Sequence, residues 1–406
     1  MNVYDTLKER GYIQKTSNDD GIKKLLENPP VTIYEGFDPT AKSLHIGQLS
    51  NIIVLKYLQD AGHKIIFLVG GGTGLIGDPT DKAQTRPMLS LDELNTNAEA
   101  LKKQAEKLLL RFDGENPAII LNNADWIANA NVKDYLRNIT SKISANFLLT
   151  LETFKKRLVA NQHLSLMEFL YPSLQAWDYL HLFEKYNCKL QVGGSDQWAN
   201  ILTGVNLVQS VHQEEVFALT WPLVTDSAGV KIGKTSEGEK VWLDPEMSSA
   251  FDCYQFLQSI DDASVEDLLK RLTFLPLTEI AEIIKDKRKA QRRLAYEVTK
   301  LVHGEEKAKG AENKSESVFG NEGSPDVSIH IKDLGLSEDG LIEDLLIKSQ
   351  IVTSKSELKR LIDQKGISIN GITLTNQDKK LAEFFDGKEF IKIQKGKRKA
   401  VLLKKE

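Results

Sequence analysis

Between residues 31 and 225, apolar runs of strand length alternate with segments that have helical spacing. The strand-like runs are VTIYEGF, KIIFLVGGG, AIILNNADW and CKLQVGG. Among the others, SNIIVLKYLQDAG predicts an amphipathic helix that ends on Gly62, and SLMEFLYPSLQAWDYLHLFEKY predicts a long helix. Pro172 is expected either in the first turn of that long helix or at a kink. Apolar strands alternating with helices favour a parallel α/β sheet, which binds ligands at the carboxyl ends of its strands.

The pattern changes after Trp242, where four helix-like segments follow one another without a strand. Residues 305 to 328 are polar and favour a linker or a weakly ordered segment. Beyond Leu341, short helical segments precede β-like runs. The sequence therefore predicts five parts: a parallel-sheet domain over 1–225, a mobile basic loop and connection over 226–247, an α-helical domain over 248–320, a linker over 321–340 and a small α+β domain over 341–406.

Charge is distributed unevenly along the 406 residues. The net charge is −4, but residues 341–406 contain 15 Lys and Arg against 9 Asp and Glu, a local charge of +6, which leaves −10 on the rest. A basic end on an acidic body suggests a polyanionic partner, although a solvated Lys-rich end explains it equally well. Without an apolar signal core or a membrane-length apolar run, and with only two cysteines, the sequence favours a cytoplasmic protein.

The loop after the first predicted strand carries groups suited to a phosphate. In YEGFDPTAKSLHIGQL a strand runs into a turn at Asp38, and a helix is expected to start near Ser43 with His45 and Gly47 in its first turn. Free N–H groups at a helix start attract anions, and a glycine there lets a ligand approach the backbone. Taken alone, a capped helix with an ordinary surface histidine explains this segment better.

Three further loops have similar chemistry. VGGGTGLIGDPTDKAQTR is rich in glycine, and two basic residues follow its Asp78, but its spacing matches neither the Walker nor the dinucleotide fingerprint. In QVGGSDQWANI, Asp196 lies just past a strand, where a carboxylate either accepts from ribose hydroxyls or caps the next helix. GVKIGKTSEG reads as a mobile basic loop or as a solvated hairpin tip.

The long helix carries a row of polar side chains. Tyr171, Gln175 and Asp178 are spaced by four and three residues, which places them on one helix face. From the spacing alone, a half-exposed helix face is the simpler interpretation.

In combination, these segments resemble the class I aminoacyl-tRNA synthetases, and within them the bacterial-type tyrosyl-tRNA synthetase family. His45-Ile46-Gly47-Gln48 is similar to the first class signature, His-Ile-Gly-His, and KIGKT at 231–235 is similar to the second, Lys-Met-Ser-Lys-Ser. The segments GFDPT, TGLIGDPT and GGSDQW mark the tyrosine enzymes within the class. The resemblance implies a Rossmann-like catalytic domain, a helical domain on the anticodon side and a small S4-like RNA-binding domain.

The resemblance also implies a pocket for L-tyrosine. In such a pocket Tyr171, Gln175 and Asp78 hold the α-ammonium group, and Asp178 and Tyr34 contact the phenol hydroxyl. A buried hydroxyl needs hydrogen-bond partners, and an ionised carboxylate can only accept. Phenylalanine would therefore leave Asp178 desolvated and unpaired.

For ATP, which is expected with Mg²⁺ and without a protein-bound metal, the resemblance implies a further set of roles. Thr40 and His45 would act on the phosphates at the transition state, and Gly47 and Gln48 would contact ATP. Lys82, Arg86, Lys231, Lys234 and Thr235 would close over pyrophosphate, Gly194 and Asp196 would hold the ribose, and Asp38 and Gln197 would lie near the tyrosine carboxylate and the α-phosphate.

The chain departs from the family pattern in three places. Gln48 replaces the second histidine of the first signature, and Ile232-Gly233 replaces Met-Ser in the second. Glu35 stands where the family usually has a small residue near the ribose. A carboxylate there would either bind a ribose hydroxyl or repel phosphate.

The basic end resembles the S4-like RNA-binding module. SKSELKRLIDQKGISINGITL contains a basic helix, a glycine turn and a strand, and Lys355, Lys359, Arg360 and Lys365 would face the phosphates of tRNA(Tyr). The family resemblance also implies a homodimer.

Three other interpretations stay open from the sequence. A tryptophanyl-tRNA synthetase shares the fold and both signatures but lacks the Tyr/Gln/Asp row and the S4-like end. A nucleotidyltransferase could use the His-x-Gly helix without RNA, and the basic end argues against it. A non-catalytic RNA-binding paralogue is disfavoured because His45, Asp78, Asp178, Lys231 and Lys234 are all intact.

Overall fold

The computed structural model describes most of the chain and divides it into two compact units. The first contains Met1–Ser248 and Asp261–Lys287, and the second contains Ser249–Ile260 and Arg288–Glu406. The described residues are 2–80, 89–227, 229–233, 240–319, 328–331, 334–337, 339–349, 351–385, 390–395 and 399–404.

The first unit is built on a six-stranded sheet in the order β1-β6-β5-β2-β3-β4. All neighbouring strands are parallel except β1, which pairs antiparallel with β6. The strand order reverses between β2 and β5, and the crevice at the carboxyl ends of these two strands is where such sheets bind ligands. The strands are β1 (Lys15–Thr16), β2 (Thr32–Phe37), β3 (Lys64–Val69), β4 (Ile119–Asn122), β5 (Cys188–Gly194) and β6 (Phe217–Trp221).

Helices cover this sheet, as the apolar composition of its strands predicts. β3 is buried over all residues but its first, and β6 over its full length. The helices of this unit are Val3–Glu9, Asp19–Leu26, Leu49–Asp60, Leu91–Lys107, Ala124–Ile127, Val132–Asp134, Ala145–Thr150, Glu152–Val159, Leu166–Tyr186, Trp198–His212, Asp262–Leu272 and Leu277–Ile283, with short 3-10 turns at Ile46–Gln48, Thr73–Leu75, Thr140–Lys142 and Ser195–Gln197 and a π turn at Tyr135–Ile139.

The long helix Leu166–Tyr186 starts earlier than its proline suggests. Ser165 caps it, since its Oγ accepts from the Glu168 N–H at 3.2 Å while Glu168 Oε2 accepts from the Ser165 N–H at 3.1 Å. This capping box fixes the first turn six residues before Pro172. Of the two expectations for Pro172, its placement in the first turn is therefore excluded, and the proline lies inside the helix.

The second unit combines helices with a five-stranded sheet in the order β7-β11-β10-β8-β9. β7 pairs parallel with β11, and the other pairs are antiparallel. The strands are β7 (Ser328–His330), β8 (Ile367–Ile369), β9 (Ile372–Thr373), β10 (Phe390–Lys395) and β11 (Lys399–Lys404), and the helices are Ala250–Gln258, Lys287–His303, Glu305–Phe319, Ile342–Lys348, Lys355–Asp363 and Ala382–Phe385.

Within this unit, the segment Glu305–Phe319 is a helix, although its polar composition favours a linker. The reason is a seam of small side chains. Ala308, Ala311 and Ser315 are buried at helical spacing, and a search for large apolar residues misses them. Residues 320–327 lie outside the described part of the chain, and the predicted domain boundaries stay a prediction.

Among the described residues, no helix combines the length and the apolar character needed to cross a membrane.

Candidate active site

A cavity of about 640 Å³ lies at the carboxyl ends of β2 and β5 in the first unit. Its position agrees with the crevice expected where the strand order reverses. Fourteen of the predicted site residues line it: Tyr34, Asp38, Thr40, His45, Gly47, Gln48, Asp78, Tyr171, Gln175, Asp178, Gly194, Asp196, Gln197 and Lys231. The predicted residues Lys82, Arg86, Lys234 and Thr235 lie outside the described residues.

Asp178 lies at one end of this cavity and is only 3% exposed. Its Oδ2 accepts from Asn123 Nδ2 at 3.0 Å, and its Oδ1 accepts from the Trp126 indole N–H at 2.9 Å. The expectation that this carboxylate is unpaired without a phenol is therefore wrong, because two protein donors already hold it. Burial nevertheless dominates these two bonds and raises the pKa of Asp178 to about 8.

The hydroxyl group of Tyr34 differs from the carboxylate of Asp178, which two protein donors hold. Tyr34 is 1% exposed, and its Oη is buried without a hydrogen-bond partner among the described residues. Burial, together with the nearby charge of Asp178, raises the pKa of Tyr34 well above its usual value. Because buried polar groups are normally satisfied, this hydroxyl marks a place where a ligand can supply a partner.

Asn123 connects this end of the cavity to Asp38. Asn123 Nδ2 also donates to Thr73 Oγ1 at 3.1 Å, and Thr73 Oγ1 donates to Asp38 Oδ1 at 3.0 Å. The second oxygen of Asp38 accepts from the Tyr171 hydroxyl at 3.0 Å. Side chains from four parts of the chain therefore form one hydrogen-bonded wall of the cavity.

Asp78 and Gln197 meet across the cavity from different loops. Gln197 Nε2 donates to Asp78 Oδ2 at 2.6 Å, and the Thr80 N–H donates to Asp78 Oδ1 at 2.9 Å. Asn200 Nδ2 donates to Gln197 Oε1 at 3.2 Å, which fixes the orientation of that amide. The arrangement presents carboxylate oxygens to the cavity, as the binding of an ammonium group requires.

His45 caps a 3-10 turn at Ile46–Gln48 that leads into the helix Leu49–Asp60. The helical segment thus begins three residues later than the expected start near Ser43. His45 Nδ1 accepts from the Gly47 N–H at 3.1 Å, so the neutral imidazole carries its proton on Nε2. Gln48 Oε1 accepts from the His45 N–H at 3.1 Å, which gives the replacement of the second histidine a structural role.

The start of the basic loop packs directly on this turn. A side chain at Gly47 would come within 2.4 Å of the Ile232 carbonyl oxygen, so only glycine fits there. Lys231 Nζ lies 3.1 Å from Asp196 Oδ2. The residue predicted to contact pyrophosphate and the residue predicted to bind ribose therefore contact each other in this structure.

The four predicted RNA-binding residues belong to the second unit. Lys355, Lys359 and Arg360 lie on the helix Lys355–Asp363, and Lys365 follows it with a positive φ of 54°. All four side chains are exposed. Lys355 also forms an ion pair with Glu343, whereas its position on the helix had suggested only a phosphate contact.

Sequence reasoning missed Asn123 and Trp126. They follow β4 in the segment NNADW, which the sequence indicated only as a strand and its end. Their position after the carboxyl end of a parallel strand was the available signal. Within the described residues, no cluster of three or more His, Cys, Asp and Glu side chains is arranged to hold a metal ion.

Comparison with known proteins gives matches over almost the whole chain. A family model described as tRNA synthetases class I (W and Y) matches residues 26–320, and one described as the tyrosine--tRNA ligase SYY-like C-terminal domain matches residues 324–403. The tyrosine--tRNA ligase of Clostridium beijerinckii is 44% identical over 96% of this chain and 97% of its own length. That of Acetivibrio thermocellus is 43% identical over 98% of this chain and 97% of its own length.

A solved structure agrees with these matches. The C-terminally truncated mitochondrial tyrosyl-tRNA synthetase of Aspergillus nidulans superimposes with a TM-score of 0.71 and 31% identity, covering 78% of this chain and 94% of that one. The chain belongs to the class I tRNA synthetases of the W and Y type, among the tyrosine--tRNA ligases.

Proposed function

We propose that this chain is a tyrosine--tRNA ligase that activates L-tyrosine with ATP and transfers the tyrosyl group to tRNA(Tyr). Family membership supports the ligase chemistry. The choice of tyrosine rests on one observation: the buried Tyr34 hydroxyl, which has no hydrogen-bond partner in the described part of the chain, lies in the cavity that Asp178 also lines.

These two groups complement a phenol. Its hydroxyl would donate to Asp178, whose two oxygens are oriented by Asn123 and Trp126, and would accept from Tyr34. Phenylalanine would leave Tyr34 Oη unsatisfied, which costs about 1–3 kcal/mol, and would give the desolvated carboxylate no ligand donor. Tryptophan would have to place an indole N–H at the same position with a larger ring system.

The first reaction requires no nucleophile from the protein. An oxygen of the tyrosine carboxylate forms a bond to the α-phosphorus of ATP, the bond from that phosphorus to the bridging oxygen breaks, and pyrophosphate leaves. His45 Nε2–H and the Thr40 hydroxyl would donate to the phosphate oxygens. Catalysis then consists of positioning and of neutralising charge as it develops.

Basic side chains would neutralise the leaving pyrophosphate. Lys231 lines the cavity. The segment VGGGTGLIGDPTDKAQTR contributes Lys82 and Arg86, and the segment GVKIGKTSEG contributes Lys234 and the hydroxyl of Thr235; these four residues lie outside the described ranges. ATP would enter as its Mg²⁺ complex, so the metal belongs to the substrate. In the second reaction a terminal ribose hydroxyl of tRNA attacks the tyrosyl carbonyl, loses its proton, and displaces AMP.

Pyrophosphate exchange tests the activation step. The full chain is incubated with ATP, labelled pyrophosphate and tyrosine, tryptophan or phenylalanine, and we expect label in ATP with tyrosine only. Exchange with tryptophan would favour a tryptophan enzyme. Exchange without any amino acid would favour a nucleotidyltransferase, and no exchange at all would favour a non-catalytic RNA-binding protein.

The basic residues of the second unit would position the tRNA. Lys359 and Arg360 are exposed on the same helix, so their replacement by alanine should weaken aminoacylation and spare exchange. Phosphate contacts of this kind act without reading sequence. The loss should be largest at low salt and should shrink as the salt concentration rises, because the unmodified chain has more salt-dependent contacts to lose. The matched control is K8A/K24A, two exposed lysines of the first unit, and equal losses in both double variants would contradict this assignment.

We also propose that the chain is a homodimer acting in the cytoplasm, where tRNA charging supplies translation. Large apolar side chains are exposed between residues 132 and 166 of the first unit, which favours a protein interface there. They are Val132, Leu136, Leu149, Leu158, Val159 and Leu166. Analytical sedimentation should show a dimer for the unmodified chain and a monomer for the variant L136D/V159D. The control variant I372D, which changes an exposed residue of the second unit, should stay dimeric. A monomeric unmodified chain would refute the interface.

A further inference from the structure

A buried arginine outside every sequence motif contacts the segment that leads to the basic loop. Arg271 lies near the end of the helix Asp262–Leu272 and is 2% exposed. Its Nη1 donates to the carbonyl oxygen of Pro222 at 2.7 Å and to that of Leu223 at 3.3 Å. These two residues directly follow β6, on the way to Lys231. The guanidinium group therefore fixes the backbone at the point where it leaves the sheet.

The other edge of this guanidinium group is also occupied. Nε of Arg271 donates to both carboxylate oxygens of Asp267 at 3.0 Å, and Nη2 pairs with the same carboxylate. Because the group is planar, its contact with Asp267 on one edge fixes the direction in which Nη1 points. Burial of such a charge is tolerable when it is paired and hydrogen-bonded, and here a carboxylate and two carbonyl oxygens meet that condition.

The helix that carries Arg271 is held by two residues near the N-terminus. Arg10 is 6% exposed and donates to the carbonyl oxygens of Lys270 at 2.8 Å and Thr273 at 3.0 Å. The Tyr12 hydroxyl donates to the carbonyl oxygen of Arg271. These bonds fix the end of the helix itself. Arg10 therefore anchors the helix, whereas Arg271 connects the helix to the segment after β6.

Beyond Leu223 the chain folds back on itself in an antiparallel hairpin. The Ile232 N–H donates to the Val224 carbonyl oxygen at 2.8 Å, and Lys231 lies opposite Thr225 in an antiparallel bridge. All of these residues except Thr225 line the cavity. Leu223 is the direct neighbour of Val224, to which the returning strand with Lys231 is hydrogen-bonded. A shift of the backbone at Leu223 would therefore move the lysine.

We propose that Arg271 is a positioning residue for the activation of tyrosine, because it holds the hairpin so that Lys231 reaches the phosphate groups of ATP. This inference rests on the proposed function and adds how the start of the basic loop is held against the cavity. Arg271 is not among the described residues that line the cavity, so its effect passes through the backbone that it binds. Loss of its two bonds to that backbone should weaken the contact of Lys231 with the leaving pyrophosphate and spare tyrosine binding.

Exchange kinetics with the full chain test the proposal through R271M, which removes both bonds and keeps much of the side-chain volume. We expect kcat to fall about 10- to 100-fold, because a small displacement of a charged group can cost that much, while the KM for tyrosine stays unchanged. The matched control is R10M, since Arg10 is another buried arginine and its acceptors are carbonyl oxygens at the end of the same helix and just beyond it. R10M should lower the free energy of unfolding in urea but not kcat. An unchanged kcat in R271M, or an equal loss of kcat in R10M, would overturn the proposal.

A double-mutant cycle with K231A tests the route through the hairpin. If Arg271 acts by placing Lys231, R271M should cost at least about threefold less in the K231A background than in the unmodified chain. An equal fold-loss in the two backgrounds would also overturn the proposal. If R271M does not fold, R271K takes its place in both comparisons. Lysine keeps the charge beside Asp267 but cannot serve the carboxylate and two carbonyl oxygens together, so we expect the same pattern with smaller losses. Absence of tyrosine-dependent exchange in the unmodified chain would instead refute the proposed function.

Discussion

Trp126→Phe removes one hydrogen bond to Asp178 and leaves the aromatic packing in place. The indole ring of Trp126 stacks on His181 with ring centroids 4.2 Å apart and an interplanar angle of 11°, a contact that phenylalanine can keep in large part. The N–H that donates to Asp178 Oδ1 at 2.9 Å disappears. We expect tyrosine binding to weaken, although Trp126 is not expected to touch the phenol hydroxyl.

The size of the effect follows from the kind of bond. A hydrogen bond to a charged group contributes roughly 1.5–3 kcal/mol, which corresponds to about a 10- to 150-fold change in an equilibrium constant. Its loss leaves Asn123 as the donor to a carboxyl group whose pKa burial has already raised to about 8. Asp178 then stays protonated over a wider pH range and is a poorer acceptor for the phenol. At pH 7 the KM for tyrosine should rise by about that factor while the KM for ATP changes little.

The assay is pyrophosphate exchange over a series of tyrosine concentrations, with W177F as the matched control. Trp177 precedes Asp178 on the same helix and packs against the same apolar cluster, but its ring stacks on Tyr135. If W126F and W177F raise the KM for tyrosine equally, ring packing rather than the N–H explains the loss. An unchanged KM in W126F would refute the view that this donor keeps the carboxylate ready for the phenol.

Further predictions concern pH, backbone contact and stability. A phenol donor favours the ionised form of Asp178, so tyrosine binding should release a proton. The KM for tyrosine should therefore fall as pH rises from 6.5 to about 8, which is the pKa of Asp178 in the free site, and should then level off. D178N should not show this fall. Gly47→Ala places a methyl group 2.4 Å from the Ile232 carbonyl oxygen, so kcat for exchange should drop by roughly 100-fold without unfolding the chain, which circular dichroism checks. Arg157→Ala leaves Glu168 charged and buried, since the two side chains are 5% and 3% exposed, and urea unfolding should show a loss of about 3–5 kcal/mol.

The fold of the first unit could be predicted because its signals are local and redundant. The parallel strands β2, β3, β4 and β5 are mainly apolar and are followed by glycine or by a polar turn, so the pattern separates them from the helices. The same pattern does not indicate β6, which is followed by Pro222 and Leu223. The helix Glu305–Phe319 could not be predicted in this way. Its buried face consists of Ala308, Ala311 and Ser315, and such residues pack closely without contributing a hydrophobic pattern.

In the candidate site, too, some residues can be predicted from sequence motifs, whereas others are brought together only by the packing of the fold. The residues predicted to contact a ligand lie in strands or just after them, at helix starts, or along one helix face, where motif and spacing indicate them. Spacing does not reveal the donors that hold those residues. Asn123 and Asp178 are 55 positions apart in the chain, and Asn51 and Glu35 are 16 apart. Such partners decide the charge of a buried carboxyl group, since an acid in a cavity is neutral or ionised according to how many donors oppose its burial. Within the described ranges, Asp178 has two side-chain donors and a pKa of about 8, whereas Glu35 has one donor and a pKa that burial raises well above its usual range. Burial thus raises the pKa of both acids of this cavity, and the groups that oppose the rise are amide and indole donors that no signature includes.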